Sequence, residues 1–171
     1  HGLTQKDRIR VRTMSGIITP EILSDRTVRV DMGCPNFCPK NVPFNPESFE
    51  SVSRKDAVLY RTKVSGISFA FGVVSMGNPH AVCLVQREQL PLVGTIGPAL
   101  QACGAFPEGV NVGLLIVYSL KQAALRVFER GVGETLACGS GASAAFAVAH
   151  RAGLLTNQAE FQMRGGRLLM Q

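Results

Sequence analysis

The sequence contains no tryptophan and only two tyrosines, and aromatic residues make up 6% of its 171 residues. With 18 glycines and an apolar content of 46%, the chain can bury a core, but one built mainly from small and aliphatic side chains. No run of 18 apolar residues occurs, so nothing in the sequence indicates a membrane-spanning helix. We therefore expect a globular, cytoplasmic protein without a membrane partner.

Cysteine and histidine do not occur in pairs at metal-ligand spacing. Cys34 and Cys38 lack a second Cys or His pair, and an odd total of five cysteines favours free thiols in a reducing compartment. The net charge of +6 comes from scattered basic residues. The densest basic cluster, Lys6 to Arg12, alternates with apolar residues as on the solvent face of a strand. We predict neither a metal site nor nucleic-acid binding.

Apolar residues alternate with polar ones in many short stretches, which is the pattern of half-buried strands. A final hairpin is predicted at Gly165-Gly166, and residues 33–48, with four prolines, are the best candidate for a domain boundary. By contrast, Ala142 to Ala149 has no charged position, so it predicts a helix that is buried on all sides. These elements favour a mixed α/β (α+β) fold in which a sheet curls around a central apolar helix.

Cys138 directly precedes this helix and is followed by Gly139, Ser140 and Gly141. Either Ser140 or Ser143 is predicted to cap the helix. N–H groups at a helix N-terminus stabilise negative charge, so they could favour a reactive thiolate or hold a carboxylate. A buried structural cysteine beside a tight turn is the alternative, because free cysteine is among the most buried residue types.

Several other polar residues stand at the ends of predicted strands. Asn78 and His80 lie in a turn between two apolar runs, and Asn111 begins a strand, although each could be a structural turn residue. Glu129 falls on the inward face at a strand end, where a carboxylate must be paired or used. Arg130 could bind a carboxylate through two hydrogen bonds or form a surface ion pair.

Four motifs together carry a resemblance to a known family. They are Met76 to His80, Val110 to Gly113, Phe128 to Thr135, and Ala137 to Ala142. In this order they closely resemble the diaminopimelate epimerases, and Gly2 to Thr4 and the final hairpin fit the same pattern. The Glu-Arg-Gly-x-Gly-Glu-Thr-x-x-Cys-Gly-Ser-Gly run is the most specific part, and the resemblance covers nearly the whole chain.

The resemblance implies two similar lobes, each a mixed β-barrel-like sheet around a central apolar helix, with the active site between them. On this basis residues 1–33 would finish an N-terminal lobe and residues 34–171 would form most of a C-terminal lobe. Enzymes of the family work without pyridoxal phosphate, and we expect no cofactor here. They are usually cytoplasmic homodimers that convert LL-diaminopimelate to the meso form in lysine and peptidoglycan precursor biosynthesis.

The same resemblance assigns roles to individual residues. In the family, two cysteines face the substrate α-carbon from opposite sides, one as a thiolate base and the other as a thiol acid, and Cys138 matches the second cysteine. His80 and Glu129 match side chains that assist the protonation states of the two thiols. The residues that match substrate contacts are Asn78, Asn111, Glu129, Arg130, Gly139 and Ser140.

The sequence departs from the family pattern at the first catalytic cysteine. The family carries that cysteine in a Cys-Gly-Asn-Gly segment, and none of Cys34, Cys38, Cys83 or Cys103 stands in that context. We therefore expect an internal piece of the enzyme that lacks its start and its extreme C-terminus and is inactive alone. The alternatives are a proline racemase-like enzyme, against which the Glu-Arg pair argues, and a truncated product that only binds ligand or self-associates.

Overall fold

The computed structural model describes residues 6–13 and 16–171, so the family-like segment from Gly2 to Thr4 lies outside the described residues. The chain divides between Cys34 and Pro35 into two compact units. Most apolar strand residues of the first unit are exposed, because two-stranded ribbons enclose no core by themselves. Its two antiparallel ribbons are β1 (Val11–Thr13) with β2 (Gly16–Ile18), and β3 (Glu21–Ile22) with β4 (Val28–Arg29).

The second unit is built on one mixed sheet of nine strands. These strands are β5 (Glu50–Arg54), β6 (Ala57–Val64), β7 (Ile67–Ser75), β8 (Pro79–Leu84), β9 (Asn111–Ser119), β10 (Gln122–Glu129), β11 (Gly133–Thr135), β12 (Ala159–Met163) and β13 (Gly166–Met170). The main path runs β13-β12-β10-β9-β8-β7-β6-β5, and β11 pairs with β10. The β8–β9 and β10–β12 pairs are parallel, and the other pairs are antiparallel.

Two helices pack against opposite faces of this sheet. They are α1 (Val93–Gln101), which follows a 3-10 segment at Arg87–Leu92, and α2 (Gly139–Arg151). Side chains alternate between the faces, as on β8, where Val82 packs in the core around α2 and Cys83 packs in the core beside α1. The mixed α/β fold predicted from the sequence is confirmed. Neither helix of the described residues has the length and hydropathy needed to cross a membrane.

Most residues of the helix α2 are small and buried, as its apolar sequence predicted, but Phe146 and Ala147 are only half-buried, so the helix is not enclosed on all sides. It begins differently from the prediction, however, because neither Ser140 nor Ser143 caps it. Cys138 is the N-cap residue, with an extended backbone, and its Sγ accepts the N–H of Gly141 at 3.3 Å. Ser143 lies a full turn inside the helix, where its hydroxyl donates to the carbonyl of Gly139 at 3.0 Å.

The opposite face of the sheet holds a cluster of aromatic side chains. Phe44 stacks on Phe106 with ring centroids 4.9 Å apart and meets Tyr60 edge to face at the same distance. Phe44 and the fully buried Val42 come from the proline-rich residues 33–48, which the sequence favoured as a boundary. From Pro35 onwards that stretch belongs to the second unit, because its apolar side chains enter the core.

The helix α1 approaches the end of β10 closely at a glycine. A Cβ added to Gly97 would lie 2.5 Å from Cβ of Phe128, whereas Gly94, in the same helix, faces open space. Phe128 immediately precedes Glu129, so this contact supports the strand end where the polar residues gather.

We predict that Gly97→Ala lowers the free energy of unfolding by roughly 1 to 3 kcal/mol, because the new methyl group displaces Phe128. The matched control Gly94→Ala should raise it by about 0.5 to 1 kcal/mol, since alanine is the better helix former where space is free. Urea unfolding monitored by circular dichroism measures both. Equal stability of the two variants would contradict the close contact.

Candidate active site

Three of the predicted polar residues meet in one row across the sheet. His80 of β8 and Asn111 of β9 are direct partners in the parallel register. Val112 pairs with Phe128 across β9 and β10, so Asn111 and Glu129 occupy the next position along these strands. Because alternate residues share a face, the row lies on the face of the sheet that packs against α2.

Cys138 lies beside this row at the start of α2. Its side chain is almost completely buried, and Sγ lies 3.5 Å from Oγ of Ser140. A Cβ on Gly141 would lie 3.1 Å from a methyl group of Val127 and 3.2 Å from Sγ, so the thiol occupies space that only a glycine leaves open. Because a helix leaves its first N–H groups without intrahelical acceptors, those of Gly139 and Ser140 are available to a carboxylate.

The surroundings of Cys138 favour the protonated thiol. Burial raises the pKa of the Cys138 thiol above its ordinary value, and the nearby Glu129 carboxylate raises it further by charge and by hydrogen bonding. The hydrogen bonds from Ser140 and from the N–H of Gly141 lower this pKa but do not outweigh burial. The resting site therefore holds a thiol at neutral pH, and Glu129 is close enough to influence it.

Glu129 is held in place by a residue that the sequence did not single out. Oγ1 of Thr135 donates to Oε1 of Glu129 at 2.6 Å. Thr135 lies on β11 opposite Val127, and Gly133 lies opposite Glu129, so Thr135 and Glu129 are diagonal neighbours. The sequence Gly-Glu-Thr carries the necessary alternation, but only the pairing of this short strand with β10 reveals the contact.

Asn111 is largely occupied by contacts within the protein. It is 5% exposed, its Nδ2 donates to the carbonyl of Pro79 at 3.1 Å, and its Oδ1 accepts the N–H of Arg130 at 3.0 Å. These bonds join β8, β9 and the turn after β10. One N–H of the amide is left to donate to another group.

His80 is 1% exposed, and its Nε2 lies 2.9 Å from Oδ1 of Asn78. Burial, assisted by the positive charge of Arg130, lowers the pKa of His80 to about 4. The imidazole is therefore neutral at neutral pH, and with Oδ1 as the acceptor its proton lies on Nε2. In this state His80 orients the amide of Asn78.

The side chain of Arg130 is exposed and anchored at one end. Its guanidinium donates to the carbonyl of Glu108, and its aliphatic stem lies over Gly109. Gly109 has a φ of +74°, and a Cβ there would lie 2.7 Å from Cδ of Arg130, so both backbone and packing require glycine. The carbonyl uses one of the guanidinium N–H donors and leaves others for an anion.

Glu134 does not join the row but holds the segment that leads to α2. It forms a bidentate pair with Arg126 at 2.7 and 2.8 Å and a second ion pair with Arg164 at 3.1 Å. The hydrogen bond from Arg126 lowers the pKa of Glu134. Nearby, the N–H of Gly165 donates to the carbonyl of Leu136 at 2.7 Å, so the β12–β13 turn supports the same segment.

In the described part of the chain, no other cysteine side chain forms a hydrogen bond or a disulfide with Cys138. Cys83 is fully buried in the core beside α1, and burial raises the pKa of its thiol. Cys34, Cys38 and Cys103 are exposed. Over residues 6–13 and 16–171, no group of three or more His, Cys, Asp or Glu side chains is placed to hold a metal ion.

The statistical profile of the family described as diaminopimelate epimerase matches residues 72–171. This range contains the row, Cys138 and the residues that hold them. The chain belongs to the diaminopimelate epimerase family. The family predicted from the four motifs is thereby confirmed.

Curated diaminopimelate epimerases resemble the chain along nearly all of its length. That of Acinetobacter baylyi is 44% identical over 97% of this chain and 57% of the relative, and that of Thioalkalivibrio sulfidiphilus is 44% identical over 99% and 58%. The chain thus spans less than three fifths of the length of these relatives.

Among solved structures, a hydroxyproline epimerase from Agrobacterium vitis with bound trans-4-hydroxy-L-proline is similar to this chain, with a TM-score of 0.53. The match covers 97% of this chain and 51% of that chain. At 14% sequence identity, this likeness shows a shared fold.

We predict that His80 makes stability depend on pH. Its pKa is about 4 in the folded protein and about 6.5 in an unfolded chain, so only the unfolded state gains a proton as pH falls through this window. The free energy of unfolding is therefore unaffected by His80 above about pH 6.5, and it falls by roughly 2 to 3 kcal/mol on acidification to about pH 4.5. Urea unfolding at a series of pH values measures the loss.

His80→Gln should flatten this part of the pH profile, whereas the exposed control His150→Gln should keep the wild-type slope. A wild-type slope in the His80→Gln variant would show that the acid sensitivity comes from other groups.

Proposed function

We propose that the complete gene product is an amino-acid epimerase that interconverts LL- and meso-diaminopimelate. The observation that carries the proposal is the placement of the Cys138 thiol at the first turn of α2, beside Glu129 and the row of polar residues. Membership of the diaminopimelate epimerase family supports diaminopimelate as the substrate. Because the chain spans only part of the length of its relatives, the proposal concerns the whole protein, as a cytoplasmic homodimer in lysine and peptidoglycan precursor biosynthesis.

In the proposed mechanism, Cys138 exchanges a proton with one face of the substrate α-carbon. Its raised pKa keeps the thiol protonated at neutral pH, so the resting site supplies the proton donor. A second thiolate on the opposite face removes the original proton. In the reverse direction Cys138 is the base, and the Glu129 carboxylate beside it favours return of the proton to sulfur.

The same geometry offers complementary groups to a zwitterionic amino acid. The free N–H groups of Gly139 and Ser140 bind the carboxylate next to the reacting carbon and stabilise the negative charge that develops when the proton leaves. Glu129 accepts a hydrogen bond from the ammonium group. Asn78 and Asn111 each have an amide N–H that can donate to the substrate. Arg130, anchored at Glu108, binds a carboxylate.

His80 serves in a neutral form. With a pKa of about 4, the imidazole does not carry a positive charge near pH 7. We therefore assign His80 as a positioning residue that orients Asn78 and remains uncharged, rather than as a group that gains and loses a proton during the reaction.

Two other functions make different predictions. A proline racemase-like enzyme would act on a cyclic imino acid, and the likeness to the Agrobacterium hydroxyproline epimerase gives this candidate a shared fold. A product that only binds ligand or self-associates would catalyse no exchange. The carboxylate and guanidinium of adjacent Glu129 and Arg130 suit an open-chain substrate with several charged groups, so they favour diaminopimelate.

We predict that the complete gene product exchanges the α-hydrogen of LL-diaminopimelate for deuterium in D₂O, as followed by NMR, and leaves L-proline and trans-4-hydroxy-L-proline unchanged. Cys138→Ala should lower the exchange rate roughly a hundredfold or more, since it removes one acid-base group. The control Cys103→Ser changes an exposed thiol outside the row and should keep the wild-type rate. Exchange on L-proline alone would favour the racemase, and undiminished exchange by Cys138→Ala would remove Cys138 from the mechanism.

We also predict that these 171 residues alone do not epimerise diaminopimelate. Inversion of a carbon centre by two bases needs a second group on the opposite face. Among the described residues, Cys83 is buried in the core beside α1, and Cys34, Cys38 and Cys103 are exposed, so none of them pairs with Cys138. The same D₂O measurement on the purified chain, with folding checked by circular dichroism, tests this. Turnover by the isolated chain would require a second base from among its own side chains.

A further inference from the structure

We propose that Thr135 is a positioning residue that holds the Glu129 carboxylate beside the thiol of Cys138. A role for Thr135 in catalysis rests on the proposed function, in which Cys138 exchanges a proton with the substrate. The effect of Thr135 on the pKa of the Cys138 thiol does not depend on the substrate and can be measured directly.

A short hydrogen bond joins Thr135 to Glu129. Oγ1 of Thr135 donates to Oε1 of Glu129 at 2.6 Å, a short distance typical of a hydrogen bond to a charged oxygen. The position opposite Glu129 is Gly133, which presents no side chain between the two. Thr135 thereby holds one of the two carboxylate oxygens of Glu129.

The position of Thr135 is fixed by the surroundings of β11. Its neighbour Glu134 is on the opposite face of the strand, where Arg126 and Arg164 hold it in a partly buried ion-pair network. A three-residue strand has little pairing of its own, so this network and the β10 register set the direction of Thr135. The hydroxyl is therefore presented to Glu129 by a rigid support rather than by a free loop.

Glu129 depends on Thr135 for its hydrogen bond to the protein. Among the contacts of the described residues, Thr135 supplies the only side-chain hydrogen bond donated to this carboxylate by a hydroxyl, amide or basic group. The charge of Glu129 also raises the pKa of the Cys138 thiol. Loss of the hydrogen bond from Thr135 should therefore let Glu129 move away and lower the pKa of the Cys138 thiol.

The test uses the whole chain with the exposed thiols removed by Cys34→Ser, Cys38→Ser and Cys103→Ser. Two thiols then remain, and Cys138 is the more accessible of them, because it is 8% exposed whereas Cys83 is fully buried. The rate of iodoacetamide alkylation, measured from about pH 6 to about pH 10 with the site mapped by mass spectrometry, gives the thiol pKa. Thr135→Val removes the hydroxyl at nearly constant volume and suits a strand.

We expect Thr135→Val to shift the alkylation profile to lower pH and to speed alkylation of Cys138 about two- to fivefold at pH 7.5, because the carboxylate leaves the thiol. Thr135→Ser, which keeps the hydroxyl, should restore the wild-type profile. In a Glu129→Gln background, Thr135→Val should have no further effect. Thr156→Val is the matched control, since its hydroxyl bonds only to the carbonyls of Leu120 and Gln158.

An unchanged profile in folded Thr135→Val would overturn the proposal, as would an equal shift in Thr135→Ser or an additive shift in the Glu129→Gln background. Should the valine variant not fold, Thr135→Ala takes its place with the same expectations. The proposed function fails separately, through absent exchange on diaminopimelate by the wild-type gene product, and that failure leaves the thiol measurement intact.

Discussion

The burial of the Cys138 thiol at the first turn of α2 is the constraint on which the rest of the site depends. The thiol can lie there because Gly141 leaves space for it and because the small residues of α2 pack closely on the sheet. Burial raises the thiol pKa and outweighs the hydrogen bonds from Ser140 and Gly141 that lower it, so the thiol stays protonated at neutral pH. A larger residue at position 141 would close this space, since its Cβ would meet Sγ and Val127.

Hydrogen bonds within the protein fix the polar side chains around this thiol. Asn111 ties two strands to the turn after β10, and neutral His80 orients Asn78. The hydroxyl of Thr135 holds the carboxylate of Glu129, and the carbonyl of Glu108 holds the guanidinium of Arg130. Such mutual support reduces the reorganisation that a charged substrate would demand of the site, which is the condition for strong electrostatic stabilisation.

The site also shows how a short strand can acquire a defined direction. By itself, the pairing of three residues on β11 is weak. The ion pairs of Glu134 with Arg126 and Arg164 add a partly buried anchor on the opposite face, and the β12–β13 turn supports the following segment. Groups far from Cys138 in sequence therefore determine the geometry close to it.

The sequence by itself determined the family, the mixed fold, the apolar helix and the position of Cys138 before it, because these depend on local pattern and on motifs contiguous in the chain. It also named the residues of the row, although it could not show that Asn111 and Glu129 occupy adjacent strand positions. Only the tertiary structure decided that Cys138 rather than Ser140 caps α2, since capping depends on backbone angles at one residue.

The contact of Thr135 with Glu129 and the burial that sets the pKa of His80 and Cys138 likewise required the tertiary structure. Strand register and burial join residues that are distant in the chain, and no local pattern specifies them.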